Sequence, residues 1–438
     1  MFNSAIILAA GMGTRLKSEI PKIYHKIGGL SLIDHVIATA KSINSQEIVA
    51  VLNPNYQNIK FKFEADVRRV HQSALLGTAD AVRCGFEAIA GTSSQWIYVL
   101  YGDIPLITPE TLAKMLNIAQ SSEETAVVVL AMDAVGSSGL GRLEPASQEG
   151  TIRGIIEAKD DLGSSPTLPL CNAGMLIRKD ILEKFLKDIQ PSSSTGEFYI
   201  TEIVRLAHEG GHVCRYYQGD SRELAGVNTR AELAALENFF QERERKKHLN
   251  NGVTLVAPET VFFSHDTRLE NDVTVYPYVI FSENVYVKSG AQIGPFCVVE
   301  GSFIKNAQVG PFSRLRTGTT IADAAKIGNF VEVKNSVISE QAKINHLSYV
   351  GDSDVGRNTN IGAGTITCNY DGFKKHRTTI EENVFIGSNT ALVAPVKVRA
   401  RATVGAGSVI VKNVEEGELA IARSDQKSIK DWYEKFRK

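Results

Sequence analysis

The chain has 438 residues, of which 43% are hydrophobic and 22% charged, enough apolar mass for two or three cored domains and no bias towards disorder. Its 48 basic residues meet 49 acidic ones for a net charge of −1, which argues against nucleic acid or an anionic membrane as the main partner. The five cysteines, Cys84, Cys171, Cys214, Cys297 and Cys368, are scattered without a CxxC, so neither a disulfide framework nor a zinc site is expected, and a reducing, cytoplasmic setting is. The apolar run Ala5 to Ala10 is far too short for a signal segment or a membrane span.

Over residues 1–228, apolar runs of strand length alternate with helical patterns. Ile6-Ile7-Leu8 leads into a glycine-rich turn, Ile48 to Leu52 ends at Asn53-Pro54, Trp96 to Leu100 runs into Tyr101-Gly102-Asp103, and Ala126 to Met132 is continuously apolar. Fully apolar strands separated by helix-length segments predict a mostly parallel sheet covered on both faces, an α/β domain of Rossmann-like type. Residues 229–250 read as one solvated connecting helix, with Leu233, Leu236, Phe239 and Phe240 as an apolar stripe and Arg and Lys crowding its end.

Over 251–424 the period becomes six. Val273, Val279 and Val285 are six apart, as are Val309, Leu315, Ile321, Ile327 and Val333, and Ile386, Leu392, Val398, Val404 and Ile410. Glycine follows several of these positions in phase, as in Val309-Gly310, Ile327-Gly328 and Val404-Gly405. Such hexapeptides predict a parallel β-helix whose strands each turn an aliphatic residue inward. Between Thr367 and Ile380 the stretch CNYDGFKKHRTT breaks the period and reads as a loop projecting from the coil, where solenoids often build binding sites. The last segment, 425–438, is amphipathic and basic.

The string Leu8-Ala9-Ala10-Gly11-Met12-Gly13-Thr14-Arg15, with Pro21-Lys22, directly follows the first strand. Its glycines let backbone N–H groups approach an anion, and Arg15 and Lys22 add positive charge on the same loop. The spacing to lysine is wrong for a Walker A loop, and no acidic residue in the right place supports a dinucleotide.

These residues resemble the signature of sugar-nucleotide pyrophosphorylases. Gln72, Leu76-Gly77-Thr78-Ala79, Tyr101-Gly102-Asp103-Ile104-Pro105-Leu106, Gly141-Arg142, Glu157, Asn172, Gly196-Glu197-Phe198-Tyr199 and Gly226-Val227-Asn228 narrow the likeness. Together they are similar to the bacterial bifunctional family that joins N-acetylglucosamine-1-phosphate uridylyltransferase to glucosamine-1-phosphate N-acetyltransferase. The resemblance spans essentially the whole chain. It implies a left-handed hand for the β-helix, Mg²⁺ as cofactor, UTP and acetyl-CoA as co-substrates, a product, UDP-N-acetylglucosamine, that feeds peptidoglycan and lipopolysaccharide, and a homotrimer. Leu8, Ala9, Ala10, Gly11 and Tyr101 would then line the nucleotide and sugar site, with Arg15 and Lys22 acting on the phosphates. Gln72, Gly77 and Thr78 would read the uracil, and Gly141, Glu157 and Asn172 the acetylated sugar. Asp103 and Asn228 would hold Mg²⁺, whose preference for hard oxygens suits a carboxylate, an amide and phosphates. Met12, Leu75 and Leu140 depart from the common pattern, Met12 removing a phosphate contact and Leu75 loosening base recognition.

In the second half, His346 has Arg316, Lys334 and Tyr349 within about one coil of ~18 residues, so stacked coils can bring them together. An imidazole, with an ordinary pKa of about 6.5, suits removal of a proton from an amine that attacks a thioester, and cations suit a phosphate. The resemblance makes His346 the general base and assigns Arg316, Lys334, Tyr349 and Asn360 to glucosamine 1-phosphate. It assigns Ala363, Asn369, Tyr370, Ser388, Ala406 and Arg423 to acetyl-CoA and substrate. Lys375 reads as solvated loop charge. Cys368 lacks a local base, which favours direct transfer over a thioester intermediate on the protein. Thr317 and Asn345 stand where the family usually has Pro and Gly. Two other readings stay open at this point. One is a single-activity nucleotidyltransferase whose β-helix is structural; the other is a sugar-nucleotide-binding trimeric scaffold, which the Asp103 and Asn228 pair speaks against.

Overall fold

A computed structural model of the chain describes residues 2–56, 60–134, 140–160, 167–435 and 437. The chain divides into two compact units, Met1–Phe240 and Gln241–Lys438.

The first unit is built on a nine-stranded sheet. Strand Asn3–Ala9 lies at its centre, paired in parallel with Ile48–Leu52 and with Trp96–Tyr101. All four apolar runs form strands, for they are buried on both sides. Ile6, Val49, Val51, Ile97 and Val99 face one helical layer with Val82, Phe86, Ile203 and Val204. Ala5, Ile7, Ala50, Leu52 and Tyr98 face the other, with Ile33, Val36, Ile37, Leu112 and Met115. Strand Leu170–Arg178 is inserted antiparallel between Trp96–Tyr101 and Thr125–Asp133, with an irregularity between Asn172 and Gly174. Because the neighbours run parallel, the strand ends at Ala9, Leu52 and Tyr101 share one edge, where doubly wound sheets bind ligands.

The second unit is a three-sided stack of parallel sheets with ten, eight and eight strands. Every residue of the period-six series is buried, from Val273, Val279 and Val285 to Ile410. The series occupy two inward phases. Val273 precedes its strand Thr274–Val275, and both valines are fully buried, whereas Val309 and Leu315 are strand residues. Buried hydroxyls tie one coil to the next, as when Ser313 Oγ donates to Gly328 O at 2.6 Å and Ser348 Oγ to Gly362 O at 3.3 Å. At one corner the exposed rings of Tyr278, Phe296, Phe312 and Phe330 stack with centroids 4.9, 4.8 and 5.3 Å apart.

The helix Arg230–Asn250 joins the two units, whose division falls inside it, and it is solvated over only part of its surface. Leu236 and Phe240 are buried in the first unit with Leu16, Ile27, Leu106 and Val227. In the second unit, Gln241 donates to Phe263 O and accepts from Phe263 N, both at 2.8 Å. Residues from Ile421 to Lys435 are exposed, ending in a short helix Trp432–Lys435; Phe436 and Lys438 of the C-terminal segment lie outside the described residues. Among the described residues no helix is long and apolar enough to cross a membrane.

His248, on the same helix, is buried with its ring 4.6 Å from that of Phe263, and neither ring nitrogen has a hydrogen-bond partner. Burial, with Lys247 adding to it, pushes its pKa down to about 4. The folded form therefore resists a proton that the unfolded chain accepts, so stability is full above pH ~6.5 and falls as pH drops from there towards 4. Denaturation of the full chain across this range is expected to show that loss for the second unit, and His248→Phe to flatten it.

Candidate active sites

In the first unit the chain leaves strand Asn3–Ala9 and turns through Gly11 and Gly13, the latter at φ 63°. A Cβ on Gly13 would run into the side chain of Lys22, so the lysine stem lies over the bare turn. A cavity of about 280 Å³ opens here, lined by Leu8, Ala9, Ala10, Gly11, Lys22, Gln72, Leu75, Gly77, Thr78, Tyr101 and Asp103. Glu197 and Tyr199 also line it. Lys22 Nζ bonds Asp103 Oδ2 and donates to Asn228 Oδ1 at 2.7 Å, while Arg15 Nη2 donates to the same oxygen at 2.8 Å. Asp103 and Asn228 thus present hard oxygens to a shared positive charge, the donor chemistry a magnesium ion uses. Among the described residues no cluster of three or more acidic, His or Cys side chains competes as a metal site.

The other predicted residues divide into those that face the cavity and those behind it. Gln72, buried, spends its amide nitrogen on Gly77 O and Asp80 Oδ2 at 3.0 and 2.8 Å. Thr78 Oγ1 accepts from Ile200 N at 2.9 Å, fastening the segment that carries Glu197 and Tyr199. Asn172 does not line the cavity; it donates to Tyr101 Oη at 3.0 Å and accepts from Gly174 N, which fixes Tyr101 at the wall. Gly141 supports Asn172 in turn through its carbonyl, at 3.0 Å. Glu157 accepts from Thr201 Oγ1 at 2.6 Å, and burial raises its pKa despite that bond. Met12 is exposed and takes a bond from Asn53 Nδ2 to its sulfur; Leu140 is exposed.

In the second unit, register decides which residues meet. Asn329 pairs with His346 across adjacent coils, and Ala363, Ser388 and Ala406 follow their own strands at the same step of later coils. A Cβ on Gly362 would meet Ser388 N at 2.6 Å, and one on Gly387 would strike Ala406, so His346 opens a column of small residues. Arg423 closes it, donating to Ala406 O. His346 Nδ1 lies 2.6 Å from Asn329 Oδ1. An amide oxygen only accepts, so Nδ1 carries the proton and Nε2 is left as the basic nitrogen of the neutral ring.

Arg316, Lys334 and Gly351 form the neighbouring column. Tyr349, on the same strand as Gly351, lays its ring over that glycine. Arg316 is held by Glu332 at 2.8 Å. Lys375, on the projecting loop, is exposed, as its reading as solvated charge expects, and it is near enough to Lys334 to lower that lysine's pKa. Asp352, buried, accepts from Asn335 at 2.6 Å and from Asn369. Burial raises its pKa, but these bonds with Lys334 and Lys375 outweigh that and keep it below the usual carboxylate range. Asn369 therefore acts as a brace for the loop, and also reaches Tyr349 Oη at 3.5 Å. Tyr370 is exposed, its hydroxyl turned to Gly372 O. Asn360 stands beside Lys343 in the strand preceding Ala363. Asn329, Asp352, Glu197 and Tyr199 carry no site role in the sequence reading. The GEFY string held a signal for Glu197 and Tyr199; for the other two only coil register supplies one.

The fold and the two sites define a nucleotidyltransferase joined to a hexapeptide-repeat acyltransferase. A MobA-like NTP transferase domain matches residues 5–162, and a hexapeptide repeat of succinyl-transferase matches residues 377–412, the class built as a left-handed β-helix. The chain is 44% identical to Bifunctional protein GlmU of Paramagnetospirillum magneticum over 99% of this chain and 96% of that one. It is 42% identical to Bifunctional protein GlmU of Zymomonas mobilis over 99% and 97%, and 43% identical to that of Wolbachia pipientis wMel over 96% and 97%. The chain belongs to the bifunctional GlmU family and is a two-activity transferase.

Gly77 joins the two walls of the first cavity, because Phe198 donates to Leu76 O and accepts from Ala79 N on either side of it. It sits at φ 117°, and a Cβ there would lie 2.5 Å from Phe198 O. Gly77→Ala is expected to cost about 1–3 kcal/mol in chemical denaturation and to weaken UTP in a calorimetric titration.

Proposed function

We propose that the chain makes UDP-N-acetylglucosamine in two steps, acetylating glucosamine 1-phosphate on the β-helix and then uridylylating the product on the α/β unit. In the first step the sugar phosphate lies along strand Tyr349–Gly351, its phosphate against Arg316, Lys334 and Lys375 and its amine towards His346. The amine nitrogen attacks the thioester carbonyl of acetyl-CoA. His346 Nε2 takes the amine proton, the carbon–sulfur bond breaks, and the imidazolium returns that proton to the sulfur so that CoA leaves as its thiol. The small-residue column Ala363, Ser388 and Ala406 gives an extended cofactor room, and Arg423 suits a phosphate of CoA. What supports this reading most is the arrangement around Tyr349, with one oriented imidazole before it and three cations beyond.

In the second step a sugar phosphate oxygen attacks the α-phosphorus of UTP and pyrophosphate leaves. The backbone of Leu8 to Gly11 cradles phosphates, and Arg15 and Lys22 offset the charge that develops on them. Asp103 and Asn228 would hold Mg²⁺, which when bound supplies further charge balance at the phosphate oxygens. Gln72, Gly77 and Thr78 fix the base, and Tyr101, Glu157 and Asn172 the acetylated sugar. The protein works as a homotrimer in the cytoplasm, in keeping with its exposed aromatic ladder and with five cysteines that are all free.

Mass spectrometry of an incubation with glucosamine 1-phosphate, acetyl-CoA, UTP and Mg²⁺ is expected to yield UDP-N-acetylglucosamine; UDP-glucosamine or an unacetylated sugar alone would remove the first step. Light scattering is expected to give three times the 47.7 kDa chain mass.

His346→Ala should lower acetyl transfer by a factor of ~10²–10⁴ and leave uridylyl transfer from supplied N-acetylglucosamine 1-phosphate intact. Asn329→Ala should lower kcat on the order of tenfold to a hundredfold by freeing the imidazole to turn. Lys375→Ala should instead raise KM for glucosamine 1-phosphate roughly tenfold. Steady-state kinetics of both half-reactions separates the three.

A further inference from the structure

The two oxygens that would hold the metal are bridged in this structure by an ammonium of the protein itself. Lys22 Nζ contacts both Asp103 Oδ2 and Asn228 Oδ1, and its side chain is largely buried over the Gly13 turn. Resting on the reading of Asp103 and Asn228 as metal ligands, the geometry points to Lys22 as an internal counter-ion that keeps the metal out until a triphosphate arrives.

The argument is one of exclusive occupancy. A divalent cation on these oxygens and an ammonium in contact with both would be like charges a few ångströms apart, which repel at any local dielectric. Lys22 must leave before the metal can settle. Lys22 also lines the phosphate cradle with Ala9, Ala10 and Gly11, so a triphosphate on those backbone N–H groups offers its ammonium a new anionic partner within reach of the same stem. Nucleotide binding thereby uncovers Asp103 and Asn228. Arg15, which shares Asn228 Oδ1, has the same alternative. The free protein should then bind metal weakly, and the metal should enter with or after the nucleotide. By linkage, whatever the phosphates do for the metal the metal does for the phosphates. Keeping a lysine over the two oxygens also spares the free protein an uncompensated carboxylate in a partly buried cleft.

The test is Mn²⁺ binding to the full-length protein without nucleotide, read from the paramagnetic resonance signal of free Mn²⁺. Lys22→Met keeps the apolar stem over Gly13 and removes the charge; Lys22→Ala is the second variant, each checked against wild type by circular dichroism. Both are expected to bind one Mn²⁺ at least tenfold more tightly than wild type, and the double variant carrying Asp103→Asn to lose that gain. Equal affinity in wild type and both variants, whether all bind or none does, overturns the proposal. A gain that survives Asp103→Asn overturns it as well, by showing that the metal sits elsewhere. Uridylyl transfer by the wild-type chain, measured apart, reports on the functional reading alone.

Discussion

When Ile327 pairs with Ile344, and Ile344 with Ile361, the residues that follow each of them have nowhere to go except into a column. Parallel pairing in fixed register is the constraint on which the second site depends. It sets Asn329 on His346 and Arg316 on Lys334, although neither pair is close in sequence. The same rule works more loosely in the first unit, where parallel neighbours of Asn3–Ala9 bring the glycine turn and Asp103 to one edge of the sheet. A scaffold of this kind places chemistry by counting residues, so an insertion between two coils is tolerated only as a loop. The loop after Cys368 is such an insertion, and it carries Lys375 to Lys334.

Both sites hold more cations than carboxylates. In the first, Lys22 and Arg15 share one carboxylate, Asp103, and the amide oxygen of Asn228. In the second, Arg316 has Glu332, but Lys334 faces Lys375. Asp352 is the nearest counter-charge, and both of its oxygens are already taken by Asn335 and Asn369.

The inward aliphatic series and the phosphate turn were legible in the sequence because each is governed by local rules: a period of six for one, and bare glycine followed by basic residues for the other. Strand Leu170–Arg178 was not, since Asn172 and Gly174 interrupt its apolar pattern. Asn172 is inside because its amide is spent on Tyr101 and on its own chain. The connecting helix shows the same limit on its buried polar side. Its net polarity is real, yet Gln241 is buried by pairing with both backbone groups of Phe263.

The departures from the family pattern can be sorted on the same physical grounds. Gly328, Gly362, Gly387 and Gly405 have no positive φ, so glycine serves there for close approach of the next coil rather than for an unusual backbone. A Cβ at Gly328 would run into the backbone of Asn345, and one at Gly362 into Ser388. Asn345 is the member of this column that carries a side chain, and it too keeps a negative φ. The strand it belongs to continues to His346 and pairs there with Asn329 below, while its pairing with the coil above stops at Ile361. The register that sets His346 on Asn329 is therefore kept with a residue other than glycine at 345.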